Sequence, residues 1–167
     1  MMLESDIVNC IKTLQEKQLI LFPSEIGWLV GADATSDQAV YSLLTAAQEN
    51  PVTILVASER EVMQHAVSVD LAVFDFIDQS IEPLAVLYDG IVRIAQELAM
   101  AHGAIAIHIV RDEFCNNLIK RFKKPIVAFQ LKELNFKNAG FRALNTSHES
   151  FPFHHYRVIR WPLEQFQ

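Results

Sequence analysis

Five polar residues lie in or beside apolar runs that the sequence predicts as strands. Ser24 and Glu25 directly follow one run. His108 lies inside a second run, and Gln130 and Lys132 lie at the end of a third. Sites in open α/β sheets often form where strands end. A hydroxyl, a carboxylate, an imidazole and an amine in such places could bind a small anion or transfer a proton.

Each candidate also has a purely structural interpretation. Ser24 and Glu25 would suit an ordinary polar turn equally well. His108 shares a strand face with Ala106 and Val110, because side chains alternate along a strand. It could contact an anion in a groove, but we favour a half-buried histidine bonded to the backbone over a catalytic one.

Other residues could bind ligands but are better explained without one. Trp28 could stack on the base of a ligand, although core packing is the favoured interpretation. Gln130 and Lys132 could hold a small anion, and a solvated loop is the default. His154 and His155 are neighbours that would point to opposite faces of a strand, so we predict no metal site there.

Several well-known motifs are missing. The chain has no Gly-x-Gly-x-x-Gly, no Walker loop, no Cys-x-x-Cys and no Gly-x-Ser-x-Gly. Hydrolase functions therefore have little support. Cys10 and Cys115 are far apart in helix-like apolar patterns, which predicts two free thiols in the core and neither a disulfide nor a metal pair.

The elements that would position these residues alternate along the chain. Amphipathic helical patterns, including one over residues 91–98, separate short apolar strands. The predicted strands are residues 19–22, 27–31, 52–57, 84–88, 104–110 and 125–129, with a possible late strand at 156–159. This alternation predicts a layered α/β fold around a twisted sheet. Residues 1–167 form one domain in this interpretation, with an irregular segment from about residue 134.

Local signals mark several boundaries. Pro23 is predicted to end the first strand. Capping boxes predict that helices begin after Thr35 and Ser58, since Gln38 and Glu61 follow each at the required spacing. Asp112 is predicted to cap the helix that precedes the last clear strand.

Composition limits the partners that we expect. The 167 residues are 51% hydrophobic, yet no apolar run is long enough to cross a membrane, and the first residues do not resemble a signal peptide. We therefore expect a cytoplasmic protein without a membrane partner. The net charge of −6 disfavours RNA binding. A basic cluster at residues 120–124 could be an RNA patch, but complementing a helix dipole is the favoured role.

The stretch from Leu21 to Thr35 resembles the opening signature of the YrdC domain, with Pro-Ser-Glu-Ile-Gly-Trp followed by Gly-Ala-Asp-Ala. Residues 83–88, 103–109 and 112–127 resemble later parts of the same family in the same order. The resemblance implies a twisted mixed sheet with packed helices and an open concave groove. The family includes threonylcarbamoyl-AMP synthases, which join threonine, bicarbonate and ATP for tRNA modification. ATP with magnesium is the cofactor that the resemblance implies.

The sequence departs from the family pattern at the positions that contact nucleotide in the family. The groove-lining positions that the resemblance implies are Ser24, Glu25, Trp28, Ala47, Glu49, Ala85, His108, Gln130 and Lys132. Among them, Ala47 and Glu49 replace a Lys-x-Arg pair, or Gln48 and Asn50 do if the register shifts by one residue. His108 replaces an arginine, Ala85 replaces a threonine, and Gln130 with Lys132 replaces Ser-x-Asn.

These departures predict that ATP binding is weak or absent and that the family reaction is lost. A divergent, non-catalytic YrdC-like domain that binds a small ligand, an RNA element or a protein is the first hypothesis. The second is an enzyme with altered substrate that uses Ser24, Glu25, His108 and Lys132. The third is a homodimeric interaction module, suggested by the late aromatic residues Phe136, Phe141, Phe151 and Phe153.

Overall fold

A computed structural model describes residues 4–100, 104–132, 136–144 and 156–163 of the chain. Its helices are α1 (Glu4–Gln15), α2 (Asp37–Ala47), α3 (Glu59–His65), α4 (Ala72–Gln79), α5 (Gln96–Met100) and α6 (Glu113–Phe122). Its strands are β1 (Ile20–Ser24), β2 (Gly27–Asp33), β3 (Thr53–Val56), β4 (Leu84–Tyr88), β5 (Ile105–Ile109), β6 (Ile126–Gln130), β7 (Phe141–Arg142) and β8 (Arg157–Arg160). No helix among these residues is long and apolar enough to cross a membrane.

All eight described strands join one mixed sheet in the order β7-β1-β2-β6-β3-β5-β4-β8. The pairs β1–β7, β3–β5 and β4–β8 are parallel, and the other neighbouring pairs are antiparallel. The predicted α/β class with a mixed sheet and packed helices is therefore confirmed.

Helices cover both faces of the sheet, as alternation along the buried strands requires. Leu55 of β3 packs with α1 and α6 through residues such as Leu14 and Phe114. Its neighbours Ile54 and Val56 point to the other face and pack against α3 and α4. On that second face, α2 and α5 cover β2 and β6.

The structure corrects three boundaries. β1 continues through Pro23 to Ser24, because β7, the described neighbour on its outer side, pairs only with Ile20 and Leu21. The proline therefore needs no hydrogen bond on that side.

The other two corrections concern helix starts. The N-cap of α2 is Ser36, whose side chain accepts from the Ala39 amide, whereas the Thr35 hydroxyl donates to Asp33. The helix predicted over residues 91–98 begins only at Gln96, since Ile91 forms a β-bridge with Ala66.

Candidate functional site

A cavity of about 520 Å³ opens on the sheet face that carries α1 and α6. Its walls are mostly apolar and come from β2, β3, β6, β8 and the residues beside them. The described lining residues are Ile26, Leu29, Asn50, Pro51, Thr53, Leu55, Ala128, Phe129, Gln130, Leu131, Lys132, Tyr156 and Val158. Lys132 is the one residue of this described set with a formal charge. We call this space the groove cavity.

The hairpin between β1 and β2 closes one end of the groove cavity. The Ser24 hydroxyl donates to the Gly27 carbonyl at 2.7 Å and accepts from the Ile26 amide at 3.2 Å. Gly27 has a φ of 114°, which favours glycine at this turn. The Gln130 amide donates to the Ile26 carbonyl at 2.7 Å and so ties the hairpin to β6. Ser24 thus has a structural role in the turn, and it is only 5% exposed.

His108 lies in the middle of the sheet with both ring nitrogens bonded. Its Nδ1 lies 2.7 Å from the Leu84 carbonyl, which can only accept, so Nδ1 carries a hydrogen. Its Nε2 lies 2.7 Å from Glu25 Oε1. The imidazole is 1% exposed and has no free nitrogen for a ligand.

Tyr156 covers this pair from the groove side. Its ring lies 4.5 Å from the His108 ring, centroid to centroid, and it also lines the groove cavity. The strand that follows it, β8, is anchored to β4 and by an Arg160–Asp89 ion pair of 2.7 Å. Tyr156 therefore separates His108 from the cavity.

Further acidic groups surround the same buried region. The Asp112 side chain caps α6 by accepting from the Cys115 amide at 3.0 Å, as the sequence predicted. Its second oxygen is buried and has no hydrogen-bond partner among the described residues. Burial raises the pKa of the Asp112 carboxyl, and nearby Glu25 raises it further. Burial also raises the pKa values of the Tyr156 phenol and the Cys115 thiol. The groups around His108, apart from the imidazole itself, are thus acidic or uncharged.

The other positions implied by the resemblance are spread over the molecule. Ala47 and Ala85 are buried in the core, and Ala85 pairs with His108 across β4 and β5. Glu49 is exposed and Trp28 is half-buried against the core beneath α2. None of these four lines the groove cavity as described. Gln130 and Lys132 do line it, and Asn50 of the shifted register lines it too.

Sequence reasoning missed two polar residues of the cavity, Thr53 and Tyr156. Thr53 shares a strand face with Leu55, and this alternation could have revealed it. Tyr156 lies in a segment without a strong pattern, and no signal placed it over His108. His154 and His155 lie outside the described residues. Within the described parts, no group of three His, Cys, Asp or Glu side chains could hold a metal ion.

The basic cluster at the end of α6 contacts the protein's own acidic residues. Arg121 pairs with Glu4 of α1. Lys124 lies 3.7 Å from the buried Asp33 and stacks over Phe122. Lys123 ends α6 in the left-handed conformation. These contacts fit the helix-terminal interpretation of the cluster.

The fold and the matching sequence pattern define the class of protein. The model of the Sua5/YciO/YrdC family, which carries the description "Telomere recombination", matches residues 12–131. The chain belongs to this family. None of the curated proteins compared with it matches.

Solved structures share the fold at low sequence identity. P. abyssi Sua5 complexed with L-threonine has a TM-score of 0.65 and 21% identity over 73% of this chain and 37% of its own. E. coli YciO has a TM-score of 0.71 and 10% identity over 92% of this chain and 82% of its own. Full-length HypF in a phosphate- and nucleotide-bound form has a TM-score of 0.73 and 15% identity, over 93% and 27%. The chain thus spans little more than a third of that Sua5, and these likenesses establish the fold alone.

Proposed function

We propose that this chain is a YrdC-fold binding domain that does not make threonylcarbamoyl-adenylate and whose groove accepts a small ligand in place of ATP. The observation that carries the proposal is that His108 is buried and both of its ring nitrogens are already bonded. This residue stands where the family resemblance implies an arginine. Glu25 and the Leu84 carbonyl bond its two ring nitrogens, and the Tyr156 ring packs against the imidazole.

Electrostatics support the loss of nucleotide binding. A triphosphate carries several negative charges, and each charge-assisted hydrogen bond to it contributes roughly 1.5–3 kcal/mol. Among the described residues of the groove cavity, Lys132 alone is cationic. Losing two or three such bonds weakens binding by a factor on the order of a thousand or more. The described lining therefore does not fit a magnesium-bound triphosphate, and no catalytic step through one follows from it.

A pyrophosphate-release assay tests the proposal. Purified protein is supplied with ATP, magnesium, L-threonine and bicarbonate, and a YrdC-family synthase is assayed in parallel as the positive control. We expect no threonine-dependent pyrophosphate above the level of a heat-denatured sample. Calorimetric titration with ATP provides the matching binding measurement, and we expect no saturable heat at micromolar ATP.

A threonine-dependent rate close to that of the synthase would overturn the proposal, because it would require cations that the described lining does not supply. Saturable micromolar ATP binding with no turnover would contradict the electrostatic argument in the same way. Tight ATP binding that survives replacement of Lys132 by glutamine would show that groups outside the described lining hold the nucleotide.

A further inference from the structure

The groove cavity has the composition of a site for an apolar molecule with one charged end. Eight of its described lining residues are apolar and four are polar but uncharged. Its volume of about 520 Å³ falls within the range of small-molecule sites. Apolar walls of this kind stabilise a ligand by removing its hydrocarbon surface from water. The body of a fitting ligand is therefore hydrocarbon.

The charged residues that line the cavity determine which end group of a ligand can be paired there. Lys132 supplies one cation at the end of β6, and no acidic residue is among the described lining residues. The nearest carboxylate on the hairpin, that of Glu25, already faces His108 at 2.7 Å. A single anionic group would thus meet one lysine and no acidic neighbour in the lining. An ammonium group would have no partner of opposite charge there.

We infer that the groove cavity binds a monocarboxylate with an aliphatic or aryl-alkyl body, whose carboxylate contacts Lys132. This inference rests on the proposed function, since it assigns a ligand class to the same groove. Free amino acids fit worse, because none of the described lining residues is acidic and could pair with their ammonium group. Polyphosphates fit worse because one lysine leaves most of their charge unpaired.

Three small probes of matched shape separate the contribution of the charged end group from that of the hydrocarbon body. Calorimetry or two-dimensional NMR would measure binding of 4-phenylbutyrate, of 4-phenylbutanamide and of 4-phenylbutylamine. We expect the carboxylate to bind about fivefold more tightly than the amide, which corresponds to the roughly 1 kcal/mol at the upper end for an exposed ion pair. The amine should bind more weakly than the amide. Backbone resonances of Leu131 and Val158, which line the cavity, should shift on titration.

Two lysine-to-glutamine variants, one in the cavity lining and one outside it, serve as the test and its control. Lys132→Gln should remove the roughly fivefold preference for carboxylate over amide and leave amide binding within about twofold of the parent protein. Lys120→Gln, on the exposed side of α6 and outside the cavity lining, should leave both affinities unchanged. Equal binding of carboxylate and amide by the parent protein would overturn the inference. So would an effect of Lys120→Gln as large as that of Lys132→Gln.

The two proposals fail separately. If none of the probes binds at millimolar concentration and the pyrophosphate assay is also negative, the ligand class is wrong while the loss of synthase activity stands. If the pyrophosphate assay is positive, the proposed function fails whatever the probes do. Carboxylate binding that depends on Lys132, together with a negative pyrophosphate assay, supports both.

Discussion

Replacing Glu25 by alanine tests whether the carboxylate serves the fold by satisfying His108. The substitution leaves Nε2 of His108 without its partner at 2.7 Å, in a residue that is 1% exposed. An unsatisfied buried polar group costs roughly 1–3 kcal/mol, and breaking a fully buried ion pair costs about 3–5 kcal/mol. The Glu25 side chain keeps 21% exposure, so water can replace part of the contact. We therefore expect the free energy of unfolding to fall by about 2 kcal/mol.

Urea denaturation followed by circular dichroism measures this loss. With a denaturant slope of about 2 kcal/mol per molar, the midpoint should fall by about 1 M while the slope stays constant. Glu25→Gln retains an acceptor oxygen, so it should cost less than Glu25→Ala. Glu49→Ala, at an exposed position that the resemblance also placed in the groove, is the control and should change stability by less than about 0.5 kcal/mol. A Glu25→Ala protein as stable as the Glu49→Ala protein would refute the pairing argument.

Three further predictions follow from buried groups elsewhere in the fold. Gly31→Ala should cost about 1–3 kcal/mol by urea denaturation, because the new methyl would lie 2.8 Å from Ile126 Cγ2; a neutral result would contradict this packing. Burial raises the folded-state pKa of Asp112, so its contribution to stability is present below its ordinary value of about 3.9 and is lost as pH rises through the folded-state pKa. The stability of Asp112→Asn relative to the parent protein should therefore increase as pH rises from 4 to 7. A difference in urea midpoint between the two proteins that is the same at both pH values would refute this. Because Cys10 and Cys115 are buried with raised pKa values, a disulfide reagent should label neither until the protein unfolds, and prompt labelling of the native protein would refute that placement.

Local signals in the sequence predicted much of the fold. The side chains of Ser58 and Asp112 were predicted to cap helices by bonding to residues three positions later, and both caps are present in the structure. The late strand is also present as β8. β7 was not predicted, since its two residues pair with β1 across more than a hundred residues and carry no period of their own. The segment near Ile91 was misassigned because the spacing of its apolar residues suits a helix, whereas its β-bridge to Ala66 holds the backbone in an extended conformation.

The site was harder to predict because its contacts are long-range. Alternation along β5 placed His108 correctly on the face of Ala106, but it could not show what meets the imidazole. Glu25 is 83 residues away and reaches His108 only because of the hairpin geometry between β1 and β2. Tyr156 comes from the far end of the chain. The family resemblance therefore indicated which residue departs from the family pattern, and the structure shows which neighbours surround it.

The family resemblance implies a long cationic side chain at position 108, and this chain has a shorter imidazole there. A histidine is short enough to lie beneath Tyr156 and to be satisfied by Leu84 and Glu25 alone. A phosphate reaching this position would have to displace an aromatic ring and break an ion pair, and it would then face the Glu25 carboxylate. Any ligand that must first open such a contact loses the opening free energy from its affinity. Under the proposed function, a ligand is therefore recognised by the walls and rim of the groove, where Lys132 is the described cation.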